Sequence, residues 1–183
     1  MMTNNVFKMV KNTNNTVLDD IAEGYIRRIQ SVLAKLKYKT VVLDFDGTLT
    51  EFRYSFNSLL PCKDGEELND YLIYNNMYAS TYMLRTMKYI ISELKTEDIY
   101  VISKAVENAR NYKTYLILSN FDNIPENNIL YVDETDEKIE LLQKIYNKHG
   151  QDIIFVEDTA DTLIKAEEAF PFVKGIHISS LIY

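Results

Sequence analysis

Cysteine occurs once in the 183 residues, tryptophan not at all, histidine twice, proline three times and glycine five times. The lone Cys62 has no partner for an internal disulfide. His149 and His177 stand at no metal-ligand spacing, so neither a disulfide scaffold nor a structural zinc site is available. So little proline and glycine, with no repeat and no low-complexity tract, excludes a fibrous or linker-like chain. Long apolar runs are also missing. No stretch approaches the roughly 18 uncharged apolar residues of a membrane helix. The N-terminal MMTNNVFKMVKNTNNT has no apolar centre of the kind a secretory signal needs. The expectation is a cytoplasmic protein with no membrane partner. Positive charge is scarce too: 20 Lys and Arg against 27 Asp and Glu leave a formal charge of −7. The isoelectric point near 4.9 argues against a chain that as a whole holds nucleic acid, because phosphate backbones are held by concentrated positive charge.

What is present is an ordinary globular composition, 46% hydrophobic and 26% charged, of the length of one domain. From Thr16 the segment TVLDDIAEGYIRRIQSVLAKLK spaces Leu18, Ile21, Tyr25, Ile29, Val32 and Leu36 by threes and fours, with Thr16 and Asp19 resembling a capping box. This predicts an amphipathic helix within an N-terminal region, 1–39, packed on the core. Arg27, Arg28, Lys35, Lys37 and Lys39 fall on a stretch without acids that reads as a solvated helix face.

Beyond it, short β-branched runs alternate with helix-period segments. Strands are expected at 40–45, 99–103, 128–133, 152–157 and 172–178, and helices at about 81–95, 105–119, 136–148 and 159–169. Such alternation implies crossover connections and a parallel sheet, and the lack of two-residue alternation in the apolar runs fits strands buried on both faces. About 55 residues separate the first strand from the second, more than one helix and its loops need. A small insert at about 50–80 is therefore expected, carrying Pro61, Cys62, a Lys63-Asp64-Gly65 turn signal and Tyr54, Tyr71, Tyr74 and Tyr78, with Tyr82 just beyond. These tyrosines read as packing residues and Cys62 as an inert thiol.

In open parallel sheets, ligands sit outside the carboxyl ends of the strands. Those ends carry Asp44-Phe45-Asp46-Gly47-Thr48, Ser103, Asp133-Glu134 and Glu157-Asp158. Gathering Asp44, Asp46, Glu157 and Asp158 around one crevice is costly unless protons or a cation intervene. An all-oxygen donor set suits a hard cation such as Mg2+. Gly47 allows a sharp turn whose amides can face a phosphate, Ser103 offers a hydroxyl, and Lys138, opening a helix, offers an ammonium.

DFDGTLT after TVVL resembles the DxDGT first motif of the haloacid dehalogenase-like superfamily. The rest is similar in order: IYVIS ending at Ser103 to the second motif, Lys138 to the third, and FVEDTADT with Glu157 and Asp158 to the acidic pair of the fourth. The resemblance spans about 40–178. It implies a Rossmann-like three-layer α/β sandwich over 40–183, with the first strand central in a five-stranded parallel sheet and a small, mostly helical cap after that strand. It also implies a Mg2+-dependent phosphomonoester hydrolase that works through an aspartyl phosphate. Asp44 would be the nucleophile and Asp46 the general acid and base. Thr48, Ser103 and Lys138 would serve the phosphate, with Thr48 also fixing the loop. Asp44, the Asp46 carbonyl, Asp158 and Glu157 would serve the metal, with Asp161 as second choice to Glu157. The partner implied is a phosphorylated substrate. A phosphomutase of the same superfamily is the enzymatic alternative, and a non-catalytic relative that binds a phosphorylated ligand or a protein is the other.

Overall fold

The computed structural model describes residues 16–36, 39–51, 81–94 and 98–182. Of the insert expected at about 50–80, residues 52–80, with Cys62 and Tyr54, Tyr71, Tyr74 and Tyr78, lie outside the described residues. So do Lys37 and the side chains of Thr16, Leu18, Asp19 and Ile21.

Helix α1 (Thr16–Leu36) precedes β1 (Thr40–Leu43). Short strands β2 (Thr50–Glu51) and β3 (Tyr82–Met83) come next, then α2 (Arg85–Glu93), β4 (Ile99–Lys104), α3 (Glu107–Leu118), β5 (Ile129–Val132), α4 (Glu137–His149), β6 (Ile153–Glu157), α5 (Ala160–Ala169), β7 (Val173–His177) and α6 (Ser179–Ile182). The main sheet is parallel, in the order β5-β4-β1-β6-β7, so the first strand is its centre. Alternate residues of each strand feed two cores. On one face Val41, Leu43, Ile99, Val101 and Val156 pack with Ile29, Val32 and Leu36 of α1 and with Met87 and Ile91 of α2. On the other, Val42, Ile102 and Phe155 pack with Leu142 and Ile145 of α4 and with Leu163 and Ala166 of α5. Burial on both sides is why these strands read as continuous apolar runs. Tyr25, Ile29, Val32 and Leu36 of the expected stripe turn toward the first core, and Arg27, Arg28, Lys35 and Lys39 are exposed, as a solvated face should be.

Two expectations need correction. The segment expected to be one helix from 81 begins as β3, whose Tyr82 and Met83 pair antiparallel with Glu51 and Thr50, and helix starts only at Arg85. A two-residue pairing has no periodicity to read, and the helical spacing downstream extended the expected helix into it. The strand expected to run to Phe45 ends at Leu43, because the chain turns at Asp44 to build the loop that carries Asp46 and Gly47. Among the described residues no helix is long and apolar enough to cross a membrane.

Candidate functional site

The loop after β1 is anchored by two side chains, Phe45 and Leu49, that are fully buried in the first core. The Phe45 carbonyl oxygen accepts hydrogen bonds from the Leu49 N–H at 2.9 Å, the Thr50 N–H at 3.2 Å and the Thr50 hydroxyl at 3.2 Å, which closes the turn. Gly47, with φ of +71°, sits where a side chain is strained by the backbone, and a Cβ there would collide with the Asp158 carboxylate. The same close approach brings the end of β6 against this loop.

At the carboxyl end of the central strand lies Asp44, 4% exposed, with its N–H bonded to the Val156 carbonyl oxygen at 2.9 Å. Lys138, in the first turn of α4 and 5% exposed, donates from Nζ to Asp44 Oδ1 at 2.6 Å and to Glu157 Oε2 at 2.8 Å. Glu157 Oε1 accepts the N–H groups of Asp158 at 3.2 Å and Thr159 at 3.3 Å. Asp158 is exposed, and its carbonyl oxygen meets His177 Nε2 at 2.7 Å. His177 Nδ1 lies 2.7 Å from the Ser179 hydroxyl and 3.2 Å from the Ser179 N–H. An Nδ1 that accepts from Ser179 leaves Nε2 as the donor, so the imidazole holds the Asp158 loop against the end of β7. The spacing of the two histidines carried no hint of this, because the contact joins two strand ends.

Asp44, Glu157 and Asp158 each offer a carboxylate oxygen, and these oxygens lie within 4.8 Å of one another. Burial pushes the Asp44 carboxyl up to about 6, with Lys138 opposing the rise. Burial, then the Asp44 charge, pushes Glu157 up to about 8 against the same lysine. Lys138 is itself held above its usual range: burial disfavours its charge, but Asp44 and Glu157 outweigh that cost. One ammonium is therefore shared by two buried carboxyls, and it cannot neutralise both when both are ionised. The surplus, the oxygen-only donors and their closeness fit a hard divalent cation. The Asp46 carboxylate is not part of this group, and Asp161 is exposed in the first turn of α5 and stands outside it.

A second lysine forms the other half of the site. Lys113, in the middle of α3 and 1% exposed, pairs with Asp46 Oδ2 and donates to the Ser103 hydroxyl at 2.8 Å and to the Lys104 carbonyl oxygen at 2.9 Å. Ser103 is fully buried at the end of β4. The Asp46 carboxyl is pushed up by burial, against the pull of Lys113. Two buried oxygens of the loop, Asp46 Oδ1 and Thr48 Oγ1, have no hydrogen-bond partner among the described residues. Such orphaned acceptors are costly unless something polar joins them, which is typical of a binding site.

The structure thus joins Asp44, Glu157 and Asp158 through Lys138 and the Gly47 turn, and Asp46 with Ser103 through Lys113. The sequence reading missed Lys113. Its signal was there: Lys113 follows Ala109 and precedes Ile117 by four residues each, a charge on the buried stripe of a helix. Lys104 and Lys144 are exposed, and Lys104 pairs with Glu134 on the rim. Asp133 pairs with Arg110 there. No protein-family model, curated protein or solved structure matches the chain.

Proposed function

We propose that the chain is a phosphomonoester hydrolase of the haloacid dehalogenase-like type, dependent on Mg2+ and working through an aspartyl phosphate on Asp44. One observation carries this reading most: a buried carboxylate at the end of the central strand, tied by Lys138 to a second acidic strand end, with another carboxylate two residues on that a separate lysine holds. A binding module has no need of two carboxylates held apart in this way. Strand order supports the reading as well, since Asp44 and Glu157 end neighbouring strands in the five-stranded sheet.

In this mechanism an Asp44 carboxylate oxygen attacks phosphorus and the ester P–O bond breaks. Asp46 gives its proton to the departing oxygen. Asp46 then takes a proton from water, the water oxygen attacks phosphorus, and the bond from phosphorus to Asp44 breaks to release phosphate. Lys138, Ser103 and Thr48 would hold phosphoryl oxygens, and the amides after Gly47 would add to them. Asp44, Glu157 and Asp158, with the Asp46 carbonyl, would hold Mg2+, which supplies charge neutralisation for an anionic substrate meeting an anionic nucleophile. Lys138, bonded to Asp44, would share that task.

The test is phosphate release from a broad set of phosphomonoesters, with Mg2+ and with chelator, for the wild type beside Asp44→Asn. Release that requires Mg2+ and falls by on the order of 10^4 or more in the variant is the expected result. Activity retained by a folded Asp44→Asn would end the aspartyl-phosphate mechanism.

A further inference from the structure

We propose that Lys113 is a positioning residue for proton transfer: it fixes Asp46 as the general acid and locks it to the phosphate-side hydroxyl of Ser103. This rests on the phosphomonoesterase reading and extends it to a residue outside the four motifs.

The geometry starts from α3. A lysine in the middle of a helix ordinarily runs its stem along the surface and leaves its head in water. Lys113 instead turns its ammonium inward between the ends of β1 and β4, over the Phe45 ring at 5.3 Å from its centroid. There its N–H donors find the Asp46 carboxylate, the Ser103 hydroxyl and the Lys104 carbonyl oxygen. The last is a fixed main-chain atom at the end of a sheet strand, so the ammonium is held to the frame of the fold. Asp46, on the loop, is held to the ammonium.

That arrangement distinguishes the two oxygens of Asp46. Oδ2 is committed to Lys113. Oδ1 is buried with no hydrogen-bond partner among the described residues, which leaves it as the oxygen to carry the travelling proton. The two lysines therefore divide the work. Lys138 serves the nucleophile and the acidic pair, and Lys113 serves the acid and the hydroxyl two strands away from Glu157. In the first step Asp46 Oδ1–H passes its proton to the leaving oxygen as the ester bond breaks. In the second, the same oxygen takes a proton from the attacking water. Lys113 keeps its three protons throughout.

Leaving groups report this role. A 4-nitrophenolate departs with little help from an acid, while an alkoxide needs a proton. Lys113→Met is expected to lower kcat on an alkyl phosphate such as glycerol phosphate by about 100-fold and on 4-nitrophenyl phosphate by less than about 10-fold, with KM changing less than about 3-fold on both. In an Asp46→Asn background the same substitution should cost less than about 10-fold on either substrate, because the acid it positions is already gone and only its contact with the Ser103 hydroxyl is left to lose. The double variant leaves no unpaired buried charge, so its comparison with Asp46→Asn decides the matter even if Lys113→Met alone does not fold. Equal losses on both substrates, or a full further loss in the Asp46→Asn background, would overturn the assignment while Mg2+-dependent, Asp44-requiring hydrolysis by the wild type keeps the phosphomonoesterase reading intact. A wild type that hydrolyses neither substrate nor any other phosphomonoester would overturn both.

Discussion

At the carboxyl-terminal edge of the sheet, Lys138 faces two carboxylates, a third lies within 4.8 Å of them, and two buried oxygens have no partner among the described residues. At the amino-terminal edge a second polar cluster has a different balance. The Tyr100 hydroxyl accepts from Lys148 Nζ at 2.8 Å and lies 2.6 Å from His149 Nε2, and His149 Nδ1 is 3.2 Å from Asp98 Oδ1. Here one acid, one lysine, one imidazole and one hydroxyl satisfy each other. Lys148 also lies in the last turn of α4, where its positive charge complements the helix dipole. Both clusters combine strand ends with helix ends, and both contain residues that chemistry could use. The buried Thr40 hydroxyl at the start of β1 is also without a partner among the described residues, but only the first cluster combines such atoms with two buried carboxylates sharing one lysine, and that combination is what favours a ligand there. The second ties α4 to β4.

Removing Lys138 separates the two ends most strongly. Lys138→Met leaves Asp44 and Glu157 buried without a counterion, and breaking a buried pair in this way costs about 3–5 kcal/mol. In chelator at pH 8, a correspondingly lower midpoint in denaturant is expected. Phosphate release in Mg2+ should fall by on the order of 10^2 to 10^3, from lost stabilisation of transition-state charge. A variant as stable and active as the wild type would mean that Lys138 neither compensates the buried carboxylates nor serves turnover.

The same division separates what was legible in the sequence from what was not. The strands were legible because burial on both faces writes an apolar run. Asp44, Asp46, Ser103 and Glu157 were legible because strand ends are where such sheets place ligands, and Lys138 because it is a cation opening a helix. Pairing across the molecule was not. Lys113 reaches Asp46 across 67 positions of chain and His177 reaches Asp158 across 19, and neither contact leaves a local spacing. A two-residue ladder such as β2 with β3 is too short for any period. The signal for Lys113 was one charge on an apolar stripe, which in most helices marks a stem lying along the surface.

Titration gives a smaller contrast between the two ends. Glu157 is pushed from 4.5 to about 8, first by burial and then by Asp44, so between these values the folded chain binds a proton that the unfolded chain has released. Stability therefore falls as pH rises through that window, by roughly 1 kcal/mol per pH unit for one proton, and levels off above about 8. Asp44, raised to about 6, adds a fall of the same sign below that value. Melting in chelator should accordingly be higher at pH 6 than at pH 8. Mg2+ should shrink the difference, since a cation among the carboxylates favours their charged forms. Glu157→Gln should remove most of the fall seen in chelator. A Glu157→Gln protein with the wild-type pH dependence would show that the crowding is relieved elsewhere.

The weakest response belongs to the satisfied end. Tyr100→Phe keeps the ring, which is buried in the second core, and deletes a hydroxyl that serves both Lys148 and His149. Lys148 is exposed and turns to water at little cost, while half-buried His149 loses a short contact. A loss of about 1 kcal/mol in denaturant unfolding is expected for a net hydrogen bond of ordinary strength. Phosphate release and its Mg2+ requirement should stay within about 2-fold of the wild type, because the substitution lies at the amino-terminal edge and leaves every group of the crowded end in place. The two readouts therefore cross: Asp44→Asn removes turnover and leaves the fold standing, and Tyr100→Phe weakens the fold and leaves turnover standing. If Tyr100→Phe instead lowered turnover tenfold, β4 would be transmitting strain from Tyr100 to Ser103 three residues on, and the two ends would have to be treated as one unit.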